Sequence, residues 1–150
     1  MNLLLDTNIL VYLIKDPSGQ LLENVINPLK KRILVSVVSV GELRSISLQN
    51  NWGVRKLQAA ETILNKVSIV EVSENLMNTY AEIDAFSQRR NPSYKDYPFK
   101  TPRNMGKNDL WIASTAALLG LKLVTTDADF NHLHRVFIEV QTMKSELFRS

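Results

Sequence analysis

Short apolar runs alternate with segments of helical periodicity along this chain, and that alternation restricts the fold more than any other feature. Asn2 to Leu5, Ile33 to Val38, Val67 to Val72, Lys122 to Thr125 and Val136 to Val140 read as strands. Between them, Thr7 or Asn8 caps a helix reaching about Ile14, and the turn Asp16-Pro17-Ser18-Gly19 leads into a second helix, Leu21 to Asn27. Ser39 opens a third, with Glu42 at capping-box spacing, and Asn50, Asn51 and Gly53 break it. Val54 to Asn65 places Leu57, Ala60, Ile63 and Leu64 on one helical face. Ser73 caps a helix over Glu74 to Gln88. Asn108 caps an apolar one over Leu110 to Leu119, stopped by Gly120, and a short helix lies near Phe130 to Leu133. The pattern predicts an α/β fold, a parallel β-sheet flanked by helices on both faces. Crossovers in such a sheet are right-handed, and ligands sit beyond the carboxyl ends of its strands.

Composition narrows the chemistry. The length of 150 residues fits one domain spanning 1–150. The chain has no cysteine, which removes disulfides, thiolate catalysis and cysteine-ligated zinc, and suits a reducing cytoplasm. Two histidines, His132 and His134, are too few for a histidine-based zinc site and read as surface residues. No basic leader and no apolar stretch of membrane length is evident, so the expected location is cytoplasmic, without membrane contact. The net charge of +3 says little, but its distribution says more. Arg89, Arg90, Lys95, Lys100, Arg103 and Lys107 face only Asp96 in one stretch, and three prolines and a glycine make residues 91–107 a basic, aromatic loop. A basic stretch beside an acidic site suits an enzyme that acts on nucleic acid.

The acids fall at element ends. Asp6 follows the first strand, Glu42 lies early in the helix after the second, Asp109 opens the helix after the proline-rich loop, and Asp127 and Asp129 follow the fourth strand. Each alone has a structural reading, because Asp and Glu are favoured at helix starts by capping and by the macrodipole. As a set they would converge on one edge of the sheet. Two carboxylates about 4 Å apart repel by roughly 4 kcal/mol at an effective dielectric near 20. Such a cluster takes up protons or binds a cation. Oxygen donors alone select Mg²⁺ or Mn²⁺, and Mg²⁺ shared with a phosphate describes a phosphodiester-cleaving site.

Four segments carry a resemblance. Leu3-Leu4-Leu5-Asp6-Thr7-Asn8, Ser36-Val37-Val38-Ser39-Val40-Gly41-Glu42-Leu43, Asn108-Asp109-Leu110-Trp111-Ile112-Ala113 and Val124-Thr125-Thr126-Asp127-Ala128-Asp129-Phe130 resemble, in order, the four motifs of PIN domains. The match covers nearly the whole chain, and compact proteins of this kind most resemble VapC-type toxins of toxin–antitoxin pairs. The resemblance implies a PIN-like domain and an Mg²⁺- or Mn²⁺-dependent endoribonuclease leaving a 5′-phosphate. It implies Asp6, Glu42, Asp109 and Asp127 as catalytic acids, with Asp6, Asp109, Asp127 and Asp129 at the metal. Asn8, Ser39 and Thr125 match supporting polar positions. RNA is the implied substrate, an antitoxin the implied partner, and a homodimer the implied assembly. Asn91 to Pro102 is longer than the connection compact relatives carry there.

Other readings stay open at this level. Arg44, Lys95, Lys100, Arg103 and Lys107 are candidates for RNA contact; Arg44 either faces the groove or is a surface charge near Glu42. Tyr94, Tyr97 and Phe99 either stack unpaired bases or pack as a surface lid. Trp111, Ile112 and Leu118 read as core, and Trp52 as a partial-core or interface anchor. Val11, Leu13, Leu21 and Val25 serve a dimer surface or the core. Receiver domains and aspartate phosphatases also use strand-end acids, but they need an acid pair or Asp-x-Asp at the first strand, where this chain has Asp6-Thr7-Asn8. A housekeeping RNA-processing nuclease and a non-catalytic RNA-binding module remain alternatives to the toxin.

Overall fold

The computed structural model describes residues 1–148. Five parallel strands form one sheet in the order β3-β2-β1-β4-β5: β1 (Leu3–Leu5), β2 (Ile33–Ser36), β3 (Ser68–Val70), β4 (Lys122–Thr125) and β5 (Glu139–Thr142). The principal helices are α1 (Thr7–Ile14), α2 (Val37–Gln49), α3 (Val54–Leu64), α4 (Met77–Ser87) and α5 (Lys107–Leu119). The predicted α/β class and the helices on both faces are what the structure shows.

The pleat divides the core. Successive side chains of a strand point to opposite faces. Leu4 of β1, Leu34 of β2 and Leu123 of β4 therefore join Ile83 and Phe86 of α4 and Ile112 of α5 on one side. Leu3, Leu5, Val35 and Val124 join Ile9, Leu10 and Leu13 of α1 on the other. Both faces of the central strands are buried, which explains their unbroken apolar runs. Each fully buried leucine contributes roughly 1.5–3 kcal/mol of apolar transfer free energy.

Helix starts differ from the sequence expectation because an earlier residue than the expected one stands at the cap. Asp6 caps α1, accepting from the Thr7 N–H, in place of Thr7 or Asn8. Ser36 caps α2, accepting from the Val38 N–H, so β2 ends early. Ser39 lies inside that helix, fully buried, with an Oγ that has no hydrogen-bond partner; the Ser39–Glu42 capping box does not form. Gly106 rather than Asn108 precedes α5. Gly120 ends it at φ +63°, a left-handed C-cap whose conformation favours glycine.

Three further segments depart from expectation. Leu21–Ile26 is a π-helical turn. The helix expected from Glu74 begins as a 3-10 turn, Glu74–Leu76, before α4. The last strand starts at Glu139 instead of Val136. There the Leu133 carbonyl accepts from the N–H groups of Val136, Phe137 and Ile138, and Arg135 adopts φ 60°, so residues 134–138 turn before the sheet resumes.

The loop after α4 is folded inward. Phe86 sits 4.7 Å from the Tyr94 ring, 5.3 Å from Tyr97 and 5.5 Å from Phe99. The buried Asn91 receives a hydrogen bond at its carbonyl from the Tyr97 hydroxyl and donates to Glu82. The Arg103 N–H closes the loop onto the Ser87 carbonyl at 2.7 Å. Ile112 is buried as expected and Leu118 is exposed; of the residues left between core and dimer surface, Leu13 is core and Val25 is exposed. Trp111 is half-buried against Tyr80, 4.4 Å between rings.

Candidate active site

The carboxyl edge of the sheet collects the acids. β1 and β4 are neighbours, and β4 is followed by a 3-10 turn, Ala128–Leu133, that carries Asp129. Asp6 is held from two sides: its Oδ1 accepts from the Thr7 N–H at 2.8 Å and its Oδ2 from the Thr125 hydroxyl at 2.7 Å. The same Thr125 oxygen accepts from the Asp127 N–H at 2.9 Å. Asp127 Oδ1 in turn accepts from the Asp129 N–H at 2.9 Å. The Asn8 side chain accepts from the Thr126 N–H at 3.3 Å, tying α1 to the same turn. Across the cleft, the Thr7 hydroxyl donates to Glu42 Oε1 at 2.9 Å. One carboxylate oxygen each of Asp109, Asp127 and Asp129 lie within 4.8 Å of one another.

This arrangement holds negative charge under strain. Burial pushes the Asp109 carboxyl up to about 6, and Asp6, Asp127, Glu42 and Asp129 add repulsion. Burial also raises Asp6 above the ordinary range, against the hydrogen bonds from Thr125 and Thr7 that favour its anion. Among the described residues, no lysine or arginine nitrogen lies within 4.0 Å of any of these acids. The donor set is oxygen only, clustered, and unpaired with internal cations. It fits a hard divalent cation.

The remaining sequence candidates separate. Thr125 and Asn8 support the acids; Ser39 bonds to none of them. Arg44 is exposed and lines a different cleft of about 420 Å³ between α2 and α3, beside the half-buried Trp52. It does not line the acid cleft. Lys95, Lys100, Arg103 and Lys107 are exposed, and Lys107 opens α5 two residues before Asp109. Tyr94, Tyr97 and Phe99 form the packed lid, not a platform open to bases, because Phe86 and Phe137 draw them into the core.

His132 is no surface residue. It is half-buried beside Phe86 and Phe99, and its Nε2 lies 2.8 Å from Ser87 Oγ. Burial, with Arg103 nearby, lowers its pKa to about 4, and a backbone hydrogen bond with Asp129 acts the other way. His132 thus joins the end of α4, the basic loop and the Asp129 turn. Sequence reasoning missed that link and missed Thr7 as a partner of Glu42. The three-residue spacing from Asp129 to His132 and the hydroxyl directly after Asp6 were the available signals.

Taken together, fold and site define a parallel α/β protein with an acidic, cation-type cluster where β1 and β4 end. A sequence profile of the PIN domain matches residues 3–136, and the chain belongs to the PIN-domain family. It is 27% identical over 123 residues to Ribonuclease VapC1 of Haemophilus influenzae (strain R2866), covering 81% of this chain and 84% of that protein. Its fold is similar to that of VapBC2 from Rickettsia felis bound to a promoter DNA fragment, at TM-score 0.73 and 22% identity. It is similar also to VapBC-1 from nontypeable Haemophilus influenzae, at TM-score 0.68 and 24% identity. Both likenesses cover 95% of this chain and 98% of the other.

Proposed function

We propose that this chain is a divalent-cation-dependent endoribonuclease, the toxin of a VapBC-type toxin–antitoxin pair, that acts in the cytoplasm and functions as one PIN unit over 1–150. The observation that carries this reading is the convergence of five acids with no lysine or arginine nitrogen within 4.0 Å among the described residues; burial first, and then repulsion from the other four, raises Asp109 to about 6. The ribonuclease relative supports RNA as the substrate.

Asp6, Asp109, Asp127 and Asp129 are the residues to hold the cation, Mg²⁺ with Mn²⁺ as substitute. When bound, such an ion lowers the pKa of a water and neutralises charge on phosphate. Thr125 fixes Asp6 and the Asp127 backbone in one geometry. Glu42, held by the Thr7 hydroxyl, and Asp127 are the two carboxylates for the role of proton acceptor from the attacking water. The exposed bases of the loop, Lys95, Lys100, Arg103 and Lys107, contact the RNA backbone electrostatically. Their aromatic neighbours serve to hold them rigid.

The test is incubation with bacterial RNA in Mg²⁺, in Mn²⁺ and in EDTA, followed by mapping of new 5′ ends. Metal-dependent 5′-phosphate ends that vanish in folded Asp109→Asn protein are expected. Near-normal cleavage by that variant would remove the assignment, and RNA binding without cleavage would leave a non-catalytic module. The structural likeness to VapBC complexes supports an antitoxin partner; the expected result is co-purification with the product of an adjacent small reading frame and loss of cleavage in the complex. A homodimer is expected by light scattering.

A further inference from the structure

We propose that Tyr12 and Lys15 form a nucleotide subsite in the acid-lined cleft, with Lys15 taking the phosphate next to the scissile one and Tyr12 packing on the attached nucleoside. The proposal rests on the nuclease reading and extends it to how the substrate is seated.

The cleft, about 380 Å³, is larger and more varied than the acid cluster requires. α1 lines it with Asn8, Val11 and Tyr12, and its C-cap residue Lys15 continues the same helical face. α2 adds Ile46, one turn beyond Glu42. The wall therefore changes character with distance from the carboxylates: acid first, then apolar, then a cation. From Asn8 to Lys15 the helix rises about 10 Å, so Lys15 stands well apart from the metal-type cluster. A bare cation uses only the oxygens. A ligand that also needs an apolar wall and a positive charge beyond it is a nucleotide.

Two local details make this a prepared surface. Lys15 is exposed, and among the described residues no carboxylate lies within 4.0 Å of its ammonium. The adjacent acid, Asp16, is turned away: its carboxylate accepts from the Ser18 hydroxyl at 2.7 Å and from the Leu21 N–H at 2.8 Å. Tyr12 is braced by the Phe148 ring, which stacks on it at 4.4 Å and 21° in the neighbouring cleft that Tyr12 and Lys15 also border. A ring already fixed loses little freedom when a base packs on it. Helix-dipole stabilisation also favours a lysine at a helix C-terminus. It accounts for neither the braced aromatic nor the apolar wall.

The experiment uses the full chain carrying Asp109→Asn, to suppress cleavage, and a fluorescein-labelled single-stranded oligoribonucleotide in Mg²⁺. Anisotropy gives the affinity from roughly 50 to 200 mM salt, a range over which phosphate contacts are separable. Adding Lys15→Met is expected to flatten the log–log salt slope by about 0.7, one phosphate's worth, and Lys15→Arg to restore it. Adding Tyr12→Leu is expected to weaken binding about tenfold at every salt, within the range for one stacked base, with the slope unchanged; Tyr12→Phe is expected to bind like its parent. An unchanged slope in folded Lys15→Met, or unchanged affinity in folded Tyr12→Leu, overturns the subsite while leaving the nuclease reading intact. Absence of RNA binding by both wild type and the Asp109→Asn parent overturns the nuclease reading itself. Inorganic phosphate that competes as well as adenosine 5′-monophosphate overturns the nucleoside half of the proposal.

Discussion

Asp109 and His132 are both half-buried, and burial moves them in opposite directions. Asp109 titrates near 6 in the fold against 3.8 when free, so the folded state holds its proton longer. Its contribution to stability is fully present below pH 3.8 and is lost as pH rises through about 6. His132 titrates near 4 in the fold against 6.5 when free, so its contribution is present above pH 6.5 and is lost as pH falls towards 4. In EDTA the two slopes oppose each other across almost the same window, with the raised Asp6 on the side of Asp109. Asp109→Asn is expected to gain about 1 kcal/mol at pH 7, after discounting the shift for the carboxyl's exposure, and to lose stability more steeply on acidification. Denaturant titrations from pH 4 to pH 7, spanning the two folded values, check this; equal stability at pH 7 would contradict it. Thr125→Val removes the donor to Asp6 and the acceptor for the Asp127 N–H. It is expected to cost about 1–3 kcal/mol and to weaken Mn²⁺ binding, read by electron paramagnetic resonance.

At the level of elements, position along the chain was informative and orientation was not. Asp6, Asp109, Asp127 and Asp129 were legible because a strand end or a helix start can be located from one local segment, and parallel strands bring such ends together. The capping pattern around Ser39 was misleading because Ser36, three residues earlier, caps first. Arg44 illustrates the same difficulty, since one helical step separates the acid cleft from the α2–α3 cleft. The aromatic loop was undecidable locally: what turns Tyr94 inward is Phe86 before it and Phe137 some forty residues later. Phe86→Ala is expected to cost about 3–5 kcal/mol and to release the whole segment from Asn91 to Gly106, read as loss of amide protection there with β1 and β4 unaffected. Ser36→Ala tests the α2 cap, with an expected cost of about 1 kcal/mol.

At the scale of the whole molecule, a cation that binds only the folded state stabilises it by mass action. Mn²⁺ at a hundred times its dissociation constant is expected to add about 2.7 kcal/mol, visible as a higher melting temperature that EDTA reverses. Asp109→Asn should lose most of that increment, and a cation effect equal in both proteins would place the ion elsewhere. The sheet order has a consequence for biosynthesis. β1 is made before both of its neighbours, β2 and β4, and Thr125 at the end of β4 is the group that holds Asp6. A growing chain that has reached residue 120 already contains Asp6, Glu42 and Asp109, but neither the strand that closes the sheet beside them nor the two last acids. The site is therefore complete only once β4 and the turn after it have been made, and a chain halted before Lys122 lacks the hydroxyl that holds Asp6 as well as Asp127 and Asp129.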